Sequence, residues 1–107
     1  IGMERLVRKA QSVDCWGDKA PNILIVCPPP ILPLMEQAPC GQPMGKGCIE
    51  KSRELPGYLA NTAKLVGARF IDAAGCEFNQ VDGMHLTKKG HRQLAELVTK
   101  AARELVG

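Results

Sequence analysis

The sequence predicts an α/β fold with a pair of parallel strands, in the order α-β-α-β-α. Apolar residues recur at helical spacing in three segments, at residues 3–13, within 48–66 and after residue 87. Two short segments of strand character, residues 23–27 and 68–73, lie between them. A strand–helix–strand connection implies parallel strands joined by a right-handed crossover. Because parallel sheets need several strands with both faces covered, we expect further strands from outside this pattern.

The first helix is predicted from Met3 to about Val13. Its apolar residues recur at i, i+3, i+4 and i+7, and its charged residues lie on the opposite side. After a loop, residues 23–27 form a continuous apolar run that is typical of a parallel strand buried on both faces. The three prolines at 28–30 end this strand, because proline cannot donate to the hydrogen-bond ladder.

The long connection at residues 28–47 is rich in proline and glycine. Loops of this length in compact domains are usually functional or disordered. It leaves the carboxyl end of a strand, where open α/β sheets place their ligands. One interpretation is that the loop forms a wall of a substrate pocket. The alternative, left open by the sequence, is that it packs on a neighbouring subunit of a homo-oligomer.

The second helix is predicted from Cys48 or Ser52 to Val66, and Pro56 either kinks it or marks its true start. Gly67 is a good C-terminal stop, because glycine adopts the left-handed conformation that ends many helices. The second strand follows. Asp72 at its end is interpreted as a structural hydrogen-bond acceptor rather than a catalytic acid.

An acid and an imidazole, Asp82 and His85, lie three residues apart just before the last helix. Gly83 gives their loop backbone freedom, and Thr87 is a plausible N-cap for the helix. A carboxylate beside a histidine can accept the Nδ1 proton and leave Nε2 as a base. On its own the D-x-x-H pattern is short and common, so a solvated loop that carries both residues by chance is the alternative.

The wider context resembles the SGNH (GDSL-type) hydrolases, in particular their arylesterase-like and acyltransferase-like members. Residues 82–87, followed by Gly90 and His91, are similar to the last block of that family. Three upstream segments resemble the strand before the specificity loop, the helix after it and the final strand: Ile23 to Pro30, Lys51 to Tyr58 and Phe70 to Ala73. The resemblance implies a three-layer α/β/α, flavodoxin-like fold and a Ser-His-Asp triad. In that triad His85 is the general base and Asp82 orients it.

The same resemblance predicts that residues 1–107 are the C-terminal portion of a single SGNH domain. The family's nucleophilic serine block and its glycine and asparagine blocks are not found in these residues. The implied partner is therefore an N-terminal half that supplies the serine, and this chain alone is expected to be inactive. The implied reaction is hydrolysis of small esters, or acyl transfer from them, without a cofactor.

Five residues are predicted to contact the substrate, four from the long loop and one from the D-x-x-H segment: Pro29, Ile31, Leu34, Met35 and Met84. The loop residues are mostly apolar and suit an acyl pocket. We expect no metal site, because a pairing of His85 with His91 has no further ligands at suitable spacing.

Composition excludes several classes of partner. The formal net charge is +3, and the basic residues are scattered without an aromatic platform, which argues against a nucleic-acid surface. No apolar run approaches the length of a membrane span. The five cysteines are an odd number at spacings that match no zinc or redox motif, which favours free thiols and a cytoplasmic protein. A Cys40–Cys48 disulfide is the less favoured alternative.

Two other classes of function compete with the esterase. One is a non-catalytic α/β module that binds a partner through an unpaired strand edge and the Pro-rich loop. The other is a thiol enzyme in which His85 activates Cys76, which follows the final strand.

Overall fold

The computed structural model describes residues 2–32, 47–80 and 85–107. Its helices and strands follow the predicted order: α1 at Gly2–Ser12, β1 at Leu24–Cys27, α2 at Cys48–Val66, β2 at Arg69–Asp72 and α3 at Lys88–Val106. The predicted α/β class is therefore confirmed. Within the described residues, no helix combines the length and the apolar character needed to cross a membrane.

The two strands pair in parallel, in register from the Leu24–Arg69 pair to the Cys27–Asp72 pair. A backbone hydrogen bond continues the ladder past the last pair, because the Ala73 amide donates to the Cys27 carbonyl at 3.0 Å. Since parallel strands run in the same direction, both carboxyl ends lie at one edge of the sheet.

One face of the sheet carries α1 and α2. Side chains alternate along a strand, so Ile25, Cys27 and Phe70 share this face. They pack with apolar residues of the two helices to form the core, whose buried members are Val7, Ile25, Cys27, Leu59, Ala63 and Val66. Cys27 has no solvent-exposed surface, as its position in an apolar strand predicts.

The opposite face carries α3, which contacts β2. Arg69 lies on this face by its register, and its guanidinium pairs with the carboxylate of Glu104 near the end of α3. Helix α3 therefore runs antiparallel to β2, and its N-terminal end lies on the side of the sheet at which the strands end. With helices on both faces, the arrangement has the predicted three layers.

Helix α2 begins at Cys48 and contains Pro56, so the proline does not mark its start. The helix ends at Gly67, which adopts the left-handed conformation at φ 73°. The amides of Gly67 and Ala68 both donate to the carbonyl of Ala63. These two bonds satisfy the Ala63 carbonyl, which lies in the last turn of the helix, where carbonyls lack partners within the helix.

Two side-chain hydrogen bonds stabilise the C-terminal end of α1. Gln11 Nε2 donates to the carbonyl of Val66 at 2.6 Å and so ties the end of α1 to the end of α2. Trp16 Nε1 donates to the carbonyl of Ala10 at 3.1 Å. Four cysteines of the described residues are free thiols: Cys15, Cys27, Cys48 and Cys76.

Candidate active site

The structure describes three of the predicted site residues, His85, Pro29 and Ile31. The other four, Asp82, Leu34, Met35 and Met84, lie outside the described residues.

His85 is positioned by two short segments that run antiparallel to each other, residues 77–79 and 85–87, which we call the bracket. Phe78 and Leu86 form an antiparallel bridge. On one side of it the Asn79 amide donates to the His85 carbonyl at 2.8 Å, and on the other the Thr87 amide donates to the Glu77 carbonyl at 3.1 Å. The bracket therefore fixes the backbone of His85, whose side chain is exposed.

Thr87 caps α3, as predicted. Its backbone is extended, at φ −75° and ψ 173°, and its Oγ1 accepts from the Gly90 amide at 3.0 Å. The same hydroxyl donates to Glu77 Oε1 at 2.7 Å. One side chain thus satisfies a free amide of the first helical turn and also holds the other segment of the bracket.

Two further residues of α3 contact the bracket. Gln93 Oε1 accepts from the Glu77 amide at 2.7 Å. Gly90 is buried, and its Cα lies against the Glu77 carbonyl group. The bracket is therefore attached to the first two turns of α3.

A tight turn carries the chain from β2 toward the bracket. Asp72 Oδ1 accepts from the Ala74 amide at 2.9 Å, which confirms its predicted role as a structural acceptor. The Cys76 amide then donates to the Ala73 carbonyl at 3.0 Å. Because α3 also starts on this side of the sheet, His85 lies beyond the carboxyl end of β2, on the side where open α/β sheets bind their ligands.

Pro29 and Ile31 leave β1 at the same edge. The Ile31 amide donates to Ser52 Oγ at 2.9 Å, and that hydroxyl donates to the Ile49 carbonyl at 2.7 Å. The start of the long loop is therefore attached to the first turn of α2. Pro29 and Ile31 are both half-buried. Pro29 and Ile31 thus follow the carboxyl end of β1, and His85 follows the carboxyl end of β2.

Four of the described nucleophilic side chains, those of Cys27, Cys76, Ser12 and Ser52, are poorly prepared for catalysis. Burial, followed by the negative charge of Asp72, raises the pKa of both Cys27 and Cys76. A raised pKa keeps these thiols protonated near neutral pH, and the protonated form is a weak nucleophile. The hydroxyls of Ser12 and Ser52 both donate to helix carbonyls. Among residues 2–32, 47–80 and 85–107, no cluster of three or more potential ligands could hold a metal ion.

Glu77 and Gln93 were not identified from the sequence. Their contact joins residues on different elements, which helical or strand periodicity cannot reveal. Gly90 carries a weak signal of its own. A glycine within a helix costs about 1 kcal/mol relative to alanine, so it suggests a close approach of another segment.

Several solved structures share this fold over nearly the whole chain. The native aryl esterase of M. smegmatis is 30% identical with a TM-score of 0.80, and the match covers 97% of this chain and 49% of that one. Its inhibitor-bound form gives 29% identity and a TM-score of 0.81, with the same coverage of both chains. In fold, this chain is similar to about half of an SGNH-type hydrolase.

A second SGNH-type relative acts on a different class of ester. Est24, a carbohydrate acetylesterase from Sinorhizobium meliloti, is 30% identical with a TM-score of 0.65, and the match covers 92% of this chain and 49% of that one. The chain therefore spans about half the length of the solved structures it matches. No family model and no curated protein matches the chain.

Proposed function

We propose that the chain is the His- and Asp-bearing half of a serine ester hydrolase of SGNH type. The observation that supports this proposal is the bracket, which fixes the backbone of His85 after the carboxyl end of β2, where the residue is exposed. An exposed histidine on this side of the sheet would be accessible to a serine from the other half of the domain. The names of the structural relatives support an ester as the substrate.

In the proposed reaction, His85 takes the proton of the serine hydroxyl as its oxygen attacks the ester carbonyl. Asp82 accepts a hydrogen bond from the other imidazole N–H and stabilises the imidazolium. The tetrahedral intermediate expels the alcohol, which receives the proton from His85, and an acyl-enzyme remains. Water or a second alcohol then attacks the acyl group, and His85 again acts as the base. The nature of this second nucleophile decides between hydrolysis and acyl transfer.

The substrate pocket is proposed to lie beside His85, at the start of the long loop. Pro29 and Ile31 would form the described part of its wall, and Ser52 fixes their position through the Ile31 amide. Leu34, Met35 and Met84 would complete it. An apolar wall of this kind suits the acyl or aryl group of a small ester.

The thiol alternative is disfavoured by the burial of Cys76, which is 4% exposed. Its pKa is raised, whereas a catalytic cysteine needs a lowered pKa and access to the substrate. The non-catalytic binding module remains as an outcome of the experiment below.

The experiment requires residues 1–107 together with the polypeptide encoded directly upstream in the same reading frame, which we call the completed polypeptide. A fluorophosphonate should label a serine upstream of Ile1, and the protein should hydrolyse aryl acetates. The variants Ser12→Ala and Ser52→Ala, as matched controls, should retain the labelling. Residues 1–107 alone should show neither labelling nor turnover.

Three results would overturn the proposal. Stoichiometric labelling of Ser12 or Ser52 in the 107-residue chain would show that the nucleophile had been misplaced. Loss of turnover on alkylation, without inhibition by the fluorophosphonate, would establish the thiol enzyme. A completed polypeptide that folds but hydrolyses no ester would support the binding module.

A further inference from the structure

The bracket that holds His85 is oriented by a side chain that is remote from the proposed chemistry. Gln93 lies in the second turn of α3, eight residues after His85. Its Oε1 accepts a hydrogen bond of 2.7 Å from the amide of Glu77, which is the first residue of the bracket.

Several contacts between the bracket and the N-terminal region of α3 are made by Glu77. Its amide is held by Gln93, its carbonyl accepts from the Thr87 amide, and its carboxylate accepts from Thr87 Oγ1. Its carbonyl group also rests against the Cα of Gly90. Three of its polar groups are therefore engaged by residues of the α3 N-terminal region, which are Thr87, Gln93 and Lys89, whose Nζ lies 3.9 Å from Glu77 Oε2.

Solvation alone does not require these contacts. Glu77 is exposed, so water would satisfy its amide if Gln93 were absent. The hydrogen bond to Gln93 therefore contributes little to stability by satisfying the Glu77 amide. Its main effect is to orient the backbone of Glu77. It fixes the distance between segment 77–79 and the axis of α3, and segment 77–79 in turn holds the His85 carbonyl through Asn79.

We propose that Gln93 is a positioning residue for His85, acting through Glu77 and the bracket. This inference rests on the proposed function, in which His85 is the general base. A base must lie within hydrogen-bond reach of the proton that it takes, and a misplacement of about 1 Å can reduce a rate by roughly 100-fold. The proposed substrate pocket does not include Gln93, so its loss should act on kcat rather than on KM.

The test compares three variants of the completed polypeptide. Gln93→Ala removes the acceptor, whereas Gln93→Glu retains a side-chain oxygen at the same distance from the backbone. Gln11→Ala is the matched control, because Gln11 also makes one side-chain to backbone hydrogen bond, to Val66, but at the far end of α1. Two quantities are measured for each variant: hydrogen exchange at the Asn79 amide, and the kinetics of aryl acetate hydrolysis.

Gln93→Ala should accelerate exchange at the Asn79 amide by about 10-fold or more and lower kcat by about 10- to 100-fold, with KM nearly unchanged. In Gln93→Glu, exchange at the Asn79 amide and kcat should both be close to the wild-type values. Gln11→Ala should leave both at the wild-type value even where it lowers Tm. If Gln93→Ala and Gln11→Ala give the same exchange and the same kcat, Gln93 has only a structural role.

The two readouts separate this inference from the proposed function. A wild-type completed polypeptide without turnover would overturn the proposed function. Exchange at the Asn79 amide would still decide whether Gln93 orders the bracket. Unchanged exchange in Gln93→Ala would overturn the positioning role whatever the kinetics.

Discussion

The Cα of Gly90 in α3 lies directly against the carbonyl group of Glu77 in the bracket. A Cβ atom at position 90 would overlap the carbonyl oxygen, and it would stand 3.1 Å from both the carbonyl carbon and the Cβ of Leu86. Two of these neighbours are backbone atoms, which cannot move aside without moving the bracket. The missing side chain of Gly90 is therefore a requirement of the site geometry.

Gly90→Ala should destabilise the protein by about 1–3 kcal/mol, because the added methyl group forces the bracket away from α3. It should also reduce ester turnover in the completed polypeptide. Gly57→Ala is the matched control, since Gly57 also lies in a helix but a Cβ there meets no atom within 4 Å. That change should stabilise the protein by about 0.5–1 kcal/mol. Urea unfolding measures the stability of both variants. An equal change in the free energy of unfolding would contradict the close contact between Gly90 and the Glu77 carbonyl.

Thr87→Ala should lower the free energy of unfolding by about 0.5–2 kcal/mol, the usual cost of losing an N-cap. It also removes the hydrogen bond to Glu77, so exchange at the Thr87 amide should accelerate. Thr99→Ala serves as the control, because Thr99 is exposed within the same helix and alanine is the better helix former there. A Thr87→Ala protein as stable as Thr99→Ala would exclude the capping role.

His85→Ala should lower kcat of the completed polypeptide by roughly three or more decades, as the loss of a triad base does. Asp82→Asn should reduce kcat by less, acting mainly through the tautomer of the imidazole. His91→Ala is the control, because His91 is exposed on α3 and has no proposed role in the reaction. Near-full activity of both dyad variants on a simple aryl ester would remove the catalytic assignment.

Leu34→Ala and Met35→Ala should change the preferred acyl chain length of the completed polypeptide with little loss of stability. The reason is that the long loop is proposed to wall the substrate pocket. The measurement is kcat/KM across a series of aryl esters, combined with light scattering. Should the variants change only the assembly size, the loop is a subunit interface and the pocket assignment fails.

The buried thiols predict a loss of stability at alkaline pH. Burial and the charge of Asp72 raise the pKa of Cys27 and Cys76, so the folded state holds these protons more tightly than the unfolded chain. Their stabilising contribution is complete below the ordinary thiol pKa of about 8.5 and is lost as pH rises through the folded-state pKa. Urea unfolding at several pH values should show this decline.

The matched variant for this measurement is the double change Cys27→Ala and Cys76→Ala, which should decline less steeply above pH ~8.5. Per-residue alkylation gives an independent check. The exposed Cys15 should react faster than either buried cysteine. Parallel pH profiles for the two proteins would show that the thiols do not contribute.

Local signals in the sequence were enough to predict the three helices, two of their caps and the strand pair. Thr87 and Gly67 were predicted as caps from residue type alone, and both predictions are confirmed. The start of α2 was left open between Cys48, Ser52 and Pro56, because a proline can either kink a helix or begin one. In the structure, α2 begins at Cys48.

The bracket could not be predicted, for a physical reason. Each of its segments is three residues long, too short to show the alternation that marks a strand. The Glu77–Gln93 hydrogen bond depends on where the bracket packs against α3, which is a tertiary property. The dyad partner Asp82 and the loop residues Leu34 and Met35 lie outside the described residues, so their assignment stays a prediction.

The parallel register of β1 and β2 also has a consequence for the order in which the protein folds. Every hydrogen bond between the strands joins residues on opposite sides of the long loop and the whole of α2. Closing so large a segment costs chain entropy before any strand contact is gained. Helices form within about a microsecond from local contacts, whereas the sheet must wait until α2 packs. The carboxyl edge of the sheet, and with it the position of His85, is therefore assembled late.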